Sequence, residues 1–200
     1  MTLYEFDRMK NAEFLCGIDE AGRGPLAGPV FAAAVILPKG WVCEEINDSK
    51  KLSEAKRELL FEIIKSQALS FSVALATEQE IDQINILNAT MLAMQRAYSG
   101  LTVVPDLTLV DGNRLPELSG NAEFVIGGDA KSQSIAAASI LAKVSRDRLM
   151  LGLDEQFPEY GFAKHKGYGT KMHMNAILTY GASPVHRKSF LKKFEKSREQ

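Results

Sequence analysis

The stretch Gly17-Ile-Asp-Glu-Ala-Gly-Arg-Gly-Pro-Leu-Ala-Gly-Pro-Val30 runs straight into Val30-Phe-Ala-Ala-Ala-Val-Ile-Leu37, eight residues without one polar side chain. A short run of that character reads as a strand buried on both faces, which requires layers on either side of a sheet and so an α/β arrangement. Ahead of it stand two adjacent acids, Asp19 and Glu20, beside a loop of three glycines, two prolines and one arginine. Acid pairs before a glycine commonly do no more than cap a surface turn. Carboxylates beside a buried sheet need partners, however, and a bound cation is an available one. In Gly22-Arg23-Gly24 the missing side chains let a ligand approach backbone N–H groups, while the arginine offers a forked cation. That combination suits a phosphodiester or a sugar hydroxyl.

The rest of the chain supplies the other elements. Phe14 to Ile18 reads as a strand, with Val30 to Leu37 as its hairpin partner. Ser53 predicts an N-cap with Glu54 in the first turn, and Leu59, Leu60, Ile63, Ile64 and Ala68 share one face of the helix that follows. Leu69, Phe71, Val73 and Leu75 alternate with small residues, the period of a half-buried strand. Thr77-Glu-Gln-Glu80 is a capping box, and Ile84, Leu87, Met91, Met94 and Tyr98 then recur at helical spacing. Leu107 to Val110 and Phe124 to Ile126 are short strands. The small residues from Ser134 to Val144 predict a helix packed closely on the sheet. Gly161 to Gly169 reads as a polar loop, Thr170 to Tyr180 as a helix, and the basic tail closes with another. The sum is one α/β domain over residues 1–200, with a helical C-terminal part from about 161.

Charge is unevenly placed. From Gly161 to Gln200, nine lysines and arginines face two glutamates, +7, leaving −8 on the first 160 residues of a chain whose net charge is −1. An acidic body with a basic C-terminal part is compatible with a metal site and a polyanionic partner. Cys16 and Cys43 make neither a disulfide framework nor a zinc set, and the N-terminus lacks an apolar signal core, so the expected compartment is the cytoplasm, with no membrane partner.

Both later strands end on an acid beside glycine, at Asp111-Gly112-Asn113 and Gly127-Gly128-Asp129. Asp19, Glu20, Asp111 and Asp129 therefore all stand where strands of one sheet deliver them to a common edge. Oxygen ligands without Cys or His select Mg²⁺ or Mn²⁺. Two such ions, roughly 4 Å apart, hold the two sides of a phosphodiester, and the implied reaction is hydrolysis of a nucleic-acid backbone. Neighbouring strand residues point to opposite faces, so Asp19 and Glu20 reach one site only if the strand ends or bulges between them.

These residues, with Asp48-Ser-Lys-Lys-Leu52, Gly128-Asp-Ala-Lys131, Ile135-Ala-Ala-Ala-Ser-Ile-Leu-Ala-Lys-Val144, His165-Lys-Gly-Tyr-Gly-Thr170 and Ser183-Pro-Val-His-Arg-Lys-Ser189, resemble ribonuclease HII from about Phe14 to Phe190. The resemblance implies a ribonuclease H-like fold, a central mixed β-sheet flanked by helices with a helical C-terminal extension. It implies an endonuclease that cuts RNA in RNA–DNA hybrids and incises 5′ of single ribonucleotides embedded in duplex DNA, with two Mn²⁺ or Mg²⁺ ions. By the same resemblance Asp19, Glu20, Asp111 and Asp129 are the catalytic, metal-binding set. Gly22, Arg23 and Gly24 then contact the ribose 2′-hydroxyl and a phosphate, and Tyr168 stacks on the next sugar. Lys50, Lys143, Lys166 and Arg187 are candidates for phosphate contacts. His165, His173 and His186 fall in separate elements and read as surface or backbone-contacting residues, with His186 able to touch a phosphate. The rivals are a ribonuclease HIII-like enzyme preferring longer RNA, and a non-catalytic hybrid binder. Ser189-Phe-Leu-Lys-Lys-Phe194 lacks the glutamine and paired aromatics of sliding-clamp peptides, so no clamp-binding peptide is evident; separately, a monomer is expected.

Overall fold

The computed structural model describes residues 1–46, 49 and 52–196, with side chains as far as Lys192. Five strands, β1 (Leu15–Ala21), β2 (Val30–Ile36), β3 (Ser70–Ala76), β4 (Leu107–Asp111) and β5 (Ala122–Val125), form one sheet in the order β3-β2-β1-β4-β5. β2 is antiparallel to both β1 and β3, while β4 is parallel to β1 and to β5, so the sheet is mixed. Seven α-helices are described: α1 (Leu3–Met9), α2 (Glu54–Gln67), α3 (Glu78–Ser99), α4 (Gln133–Gln156), α5 (Phe162–His165), α6 (Lys171–Tyr180) and α7 (Lys188–Lys196). None of the described helices is long and apolar enough to cross a membrane.

Every residue of β2 is buried, as its composition demands. Ala33 and Val35 pack with Leu60, Ile64 and Ile140 of α2 and α4, whereas Val30, Ala32, Ala34 and Ile36 pack with Ile81, Ala89, Ala93 and Met94 of α3. The alanines on α4 set how near that helix comes. A methyl group added to Gly17 of β1 would lie 2.1 Å from the Ser134 carbonyl carbon at the start of α4, so only glycine fits there. This closeness brings the first turns of α4 against the strand that carries Asp19.

Several boundaries differ from the sequence reading. The acid-bearing strand continues to Ala21. Helix α1 went unread because it buries no residue, although Thr2 and Glu5 complete a capping box. Leu59 and Ile84 are exposed rather than facing the core. For Ile84 the cause is local: Asn85 sits at φ 67, ψ 165, breaking α3, and its Oδ1 accepts the N–H groups of Leu87 and Asn88 to restart the helix. The expected polar loop at 161–169 contains α5, whose Phe162 and His165 are buried with Tyr160, Met150 and Ala176. Helix α7 is tied to α3 through Asp82, which accepts from the Lys188 and Ser189 amides and the Ser189 hydroxyl at 2.6–2.9 Å.

Gly17→Ala should therefore lower stability by about 3 kcal/mol or more, since backbone on both sides must move to admit the methyl group. Urea unfolding measures it, and a loss under about 1 kcal/mol would show that β1 and α4 separate easily.

Candidate active site

The β1–β4 ladder stops at Ile18↔Val110, one step before Asp19 and Asp111, and those two acids occupy equivalent positions on neighbouring parallel strands. Gly17 faces α4, so Asp19, two residues on, faces it as well. Glu20 begins on the opposite side. β1 neither ends nor bulges between the two acids, because it stays in register with β2 through Asp19↔Ala33, Glu20↔Ala32 and Ala21↔Phe31. Glu20 nevertheless joins the site. With β4 no longer alongside, its longer side chain has an open edge to turn around, and ligand oxygens of Asp19, Glu20 and Asp111 all lie within 4.8 Å of one another.

Two of the three carboxylates are held by backbone donors. Asp111 Oδ1 accepts the Gly128 N–H at 2.6 Å, and Asp19 Oδ1 accepts the Glu20 N–H at 2.7 Å. Burial, then the charges of Glu20 and Asp111, push the Asp19 carboxyl well above the usual carboxylate range, against help from Ser139 and the Glu20 amide. Ser139 in turn lies 2.9 Å from the Ser49 hydroxyl. Arg23 Nη1 reaches Glu20 Oε1 at 3.3 Å, a partly exposed pair that adds little stability. An oxygen-rich, negatively charged pocket that disfavours its own ionisation fits a hard divalent cation.

Asp129 is buried in the single turn Gly128–Ala130, one residue from the amide that Asp111 holds, and is not among the three mutually close carboxylates. The cleft over the acids, about 230 Å³, is lined by Gly22, Arg23, Gly24 and Tyr168 on one side and by Ser139, Lys143 and Arg146 of α4 on another. Lys143 Nζ pairs with Asp147 Oδ1 at 2.7 Å at the edge of this cleft. Lys50 lies outside the described residues.

Two of the basic candidates have other work. Lys166 turns its ammonium onto the Ala163 carbonyl and does not line the cleft. Arg187 is fully buried, and its guanidinium donates to the carbonyls of Gly28 (2.8 Å), Arg23 (2.9 Å) and Gly22 (2.6 Å). It grips the glycine loop from inside and cannot also meet a phosphate. Arg146, unread in the sequence, does the same for the carbonyls of Pro29, Ala27 and Lys166 at 3.0–3.1 Å. Its signal was available: it shares the buried face of α4 with Ile135, Ser139, Ala142 and Met150. Gly22, at φ +96, has no room for a side chain, since a Cβ there would fall 2.0 Å from Arg146 Nε.

The histidines also need correction, for all three are buried and adjacent. His165 and His173 stack at 4.4 Å, and His173 Nε2 lies 3.0 Å from His186 Nε2; all three are buried and none lines the cleft. Their backbone contacts are as expected, His165 to the Tyr160 carbonyl and His173 to the Tyr168 carbonyl.

Carboxylates from parallel strand ends of a mixed sheet, beside a loop that presents its backbone, define a metal-dependent nuclease of the ribonuclease H type. The sequence model of the family Ribonuclease HII matches residues 16–193, and the chain belongs to that family. A ribonuclease HII of Endomicrobium trichonymphae is 58% identical over 193 residues, 94% of this chain and 92% of the relative. One from Caldicellulosiruptor saccharolyticus is 56% identical over 179 residues, 90% and 87% of the two chains. The crystal structure of the ribonuclease H2 from Pyrococcus horikoshii OT3 aligns with a TM-score of 0.73 at 27% identity, covering 88% of this chain and 92% of that one. The activity is that of a ribonuclease H, an endonuclease acting on the RNA strand of RNA–DNA hybrids.

Burial, followed by the neighbouring imidazoles, lowers His173 and His186 from 6.5 to about 4. The unfolded chain therefore binds more protons between those values. The stability conferred by burying neutral rings is complete above pH 6.5 and is lost as pH falls towards 4. Wild type should lose more stability than His186→Gln between pH 6.5 and about 5, measured by urea midpoints. Parallel profiles would show that His186 is not held neutral.

Proposed function

We propose that this enzyme incises duplex DNA on the 5′ side of a single embedded ribonucleotide, as well as hybrids, leaving a 3′-hydroxyl and a 5′-phosphate. What carries the reading is one cleft in which Asp19, Glu20 and Asp111 meet the Gly22–Gly24 loop and Tyr168. Asp19, Glu20 and Asp111, with Asp129 as the fourth acid, hold Mn²⁺ or Mg²⁺. When bound, the divalent ions polarise the scissile phosphate and make water nucleophilic at neutral pH.

The protein's own part is recognition. In a trans peptide the N–H points opposite to the C=O. Because Arg187 draws the Gly22 and Arg23 carbonyls inward, the N–H groups of Arg23 and Gly24 point away from the interior. They form a pair of fixed donors for a ribose hydroxyl and a phosphate oxygen, with the Arg23 side chain free to exchange Glu20 for phosphate at small cost. The 2′-hydroxyl distinguishes RNA from DNA at one nucleotide. Half-exposed Tyr168 stands beside this loop: a Cβ on Gly24 would lie 3.6 Å from its ring. Its ring stacks on the sugar of the following nucleotide and favours a deoxyribose there.

Incubation with Mn²⁺ or Mg²⁺ and a duplex carrying one ribonucleotide tests the reading, beside a duplex with a longer RNA run. Scission of both, at the 5′ side, is expected; cutting of the long run alone would favour a ribonuclease HIII-like preference, and neither being cut would leave hybrid binding. Asp111→Asn should lower turnover by a factor of about 10³ or more while duplex affinity holds or rises, because one metal ligand and one charge near phosphate disappear together. Loss of affinity instead would make Asp111 a folding residue. Tyr168→Ala should cut the single-ribonucleotide rate by about tenfold or more with the unfolding midpoint almost unmoved, as expected of a lost base- or sugar-stacking contact.

A further inference from the structure

The buried imidazoles have one consistent protonation pattern. His173 Nδ1 faces the Tyr168 carbonyl at 2.9 Å and so carries the hydrogen, which leaves its Nε2 bare. His186 Nε2, 3.0 Å away, must then donate to it. That leaves His186 Nδ1 as an acceptor, and it receives the Ser183 N–H at 2.9 Å and the Ser183 hydroxyl at 2.7 Å. Every ring nitrogen of the pair is used, and all bonds run in one direction from Ser183 to Tyr168.

This path joins the two parts of the recognition surface. At one end, Tyr168 is clamped through its backbone, its N–H on the His165 carbonyl at 2.9 Å and its carbonyl on His173. At the other end, His186 is bridged to Ala27 and precedes Arg187, whose guanidinium holds Gly22, Arg23 and Gly28. The Leu26 amide and carbonyl bond the Gly167 carbonyl and the Arg187 amide at 2.8 Å, closing the frame. Within it, the His173–His186 bond is a direct side-chain hydrogen bond between α6, beneath Tyr168, and the segment carrying Arg187, beside the apolar packing of Ile177 and Val185 in one cluster. Both rings are buried, and neither lines the cleft.

We propose that His173 and His186 are positioning residues: their hydrogen bond keeps Tyr168 in register with the Gly22–Gly24 loop, and thereby sets the preference for a ribonucleotide followed by a deoxyribonucleotide. The proposal rests on the recognition roles given above. A slip of Tyr168 costs most where one ribonucleotide is all there is to read, and less on a run of ribonucleotides, where neighbouring registers are also productive.

Two substitutions break the path at different bonds. His173→Asn keeps a donor at the place of Nδ1 and gives up His186; His173→Gln keeps reach towards His186 and gives up the Tyr168 carbonyl. Ser183→Ala removes one donor at the far, partly exposed end. The readout is kcat/KM on a single-ribonucleotide duplex divided by kcat/KM on a duplex with an RNA run, together with Mn²⁺ affinity and the neutral-pH unfolding midpoint. Both His173 variants should lower the ratio by about fivefold to tenfold, in line with one buried hydrogen bond, chiefly through KM and with Mn²⁺ affinity unchanged. Ser183→Ala should lower it by about twofold. An unchanged ratio, or equal losses on both substrates tracking the midpoint, would overturn the proposal and leave the rings as packing. If the His173 proteins do not fold, Ser183→Ala decides by the same criterion. A wild type that fails to cut the single-ribonucleotide duplex defeats the underlying recognition reading, which is a different result.

Discussion

The structure depends on crowding three like charges at the open end of a sheet. Asp19 and Asp111 arrive there because β1 and β4 are parallel and in register, and Glu20 joins them because β1 outruns β4 on that side. Burial first, and then the repulsion of Glu20 and Asp111, make Asp19 resist ionisation. The fold withstands this by anchoring the acid-bearing strands elsewhere: β1 is zipped to β2 from Cys16 to Ala21 and pressed on α4 at Gly17, while Asp111 is pinned by the Gly128 amide. Stability given up at this edge would be returned by a divalent cation between the carboxylates, whose charge would offset theirs.

The opposite charge is arranged by a different rule. Arg146 and Arg187 are both fully buried, and the carbonyls of the glycine loop rather than carboxylates take up their hydrogen bonds. Burial, and then Arg146, lower Arg187 to about 9, still well above neutral pH, so it stays charged. Two cations satisfied by neutral dipoles keep much of their field, which favours a polyanion over the cleft. The same bonds fix the loop's N–H groups outward. His173 and His186 beside them are kept neutral by burial, so they add order without adding charge.

Local chemistry made most of the fold legible: the apolar β2, the alternation of β3, the Thr77 box and the acids ending β4 and following β5 each predict their element from a few residues. The crowding of Asp19, Glu20 and Asp111 followed from those strand ends. What escaped was decided by long-range packing. Arg187 reads as a phosphate ligand because arginines are usually exposed, but the loop at Ala27–Pro29 is buried outside the sheet, and its carbonyls demand donors. Once that loop is known to be buried, one or two inward arginines are required. The histidines look unrelated at 165, 173 and 186, and meet only because α5, α6 and the 183–187 segment fold over Phe162 and Tyr160. No residue of helix α1 is fully buried, and only Leu3 and Phe6 lean on the core, so no broad apolar stripe announces it.

The most direct test of the carboxylate account is the unfolding midpoint as a function of Mn²⁺ concentration, for wild type and for Asp19→Asn, with no nucleic acid present. Relief of repulsion should make the metal-free variant more stable than wild type, whereas only wild type should gain stability progressively as Mn²⁺ rises, by linkage to binding. A wild-type midpoint indifferent to Mn²⁺, or the same gain in both proteins, would contradict the claim that these acids are gathered to hold a cation.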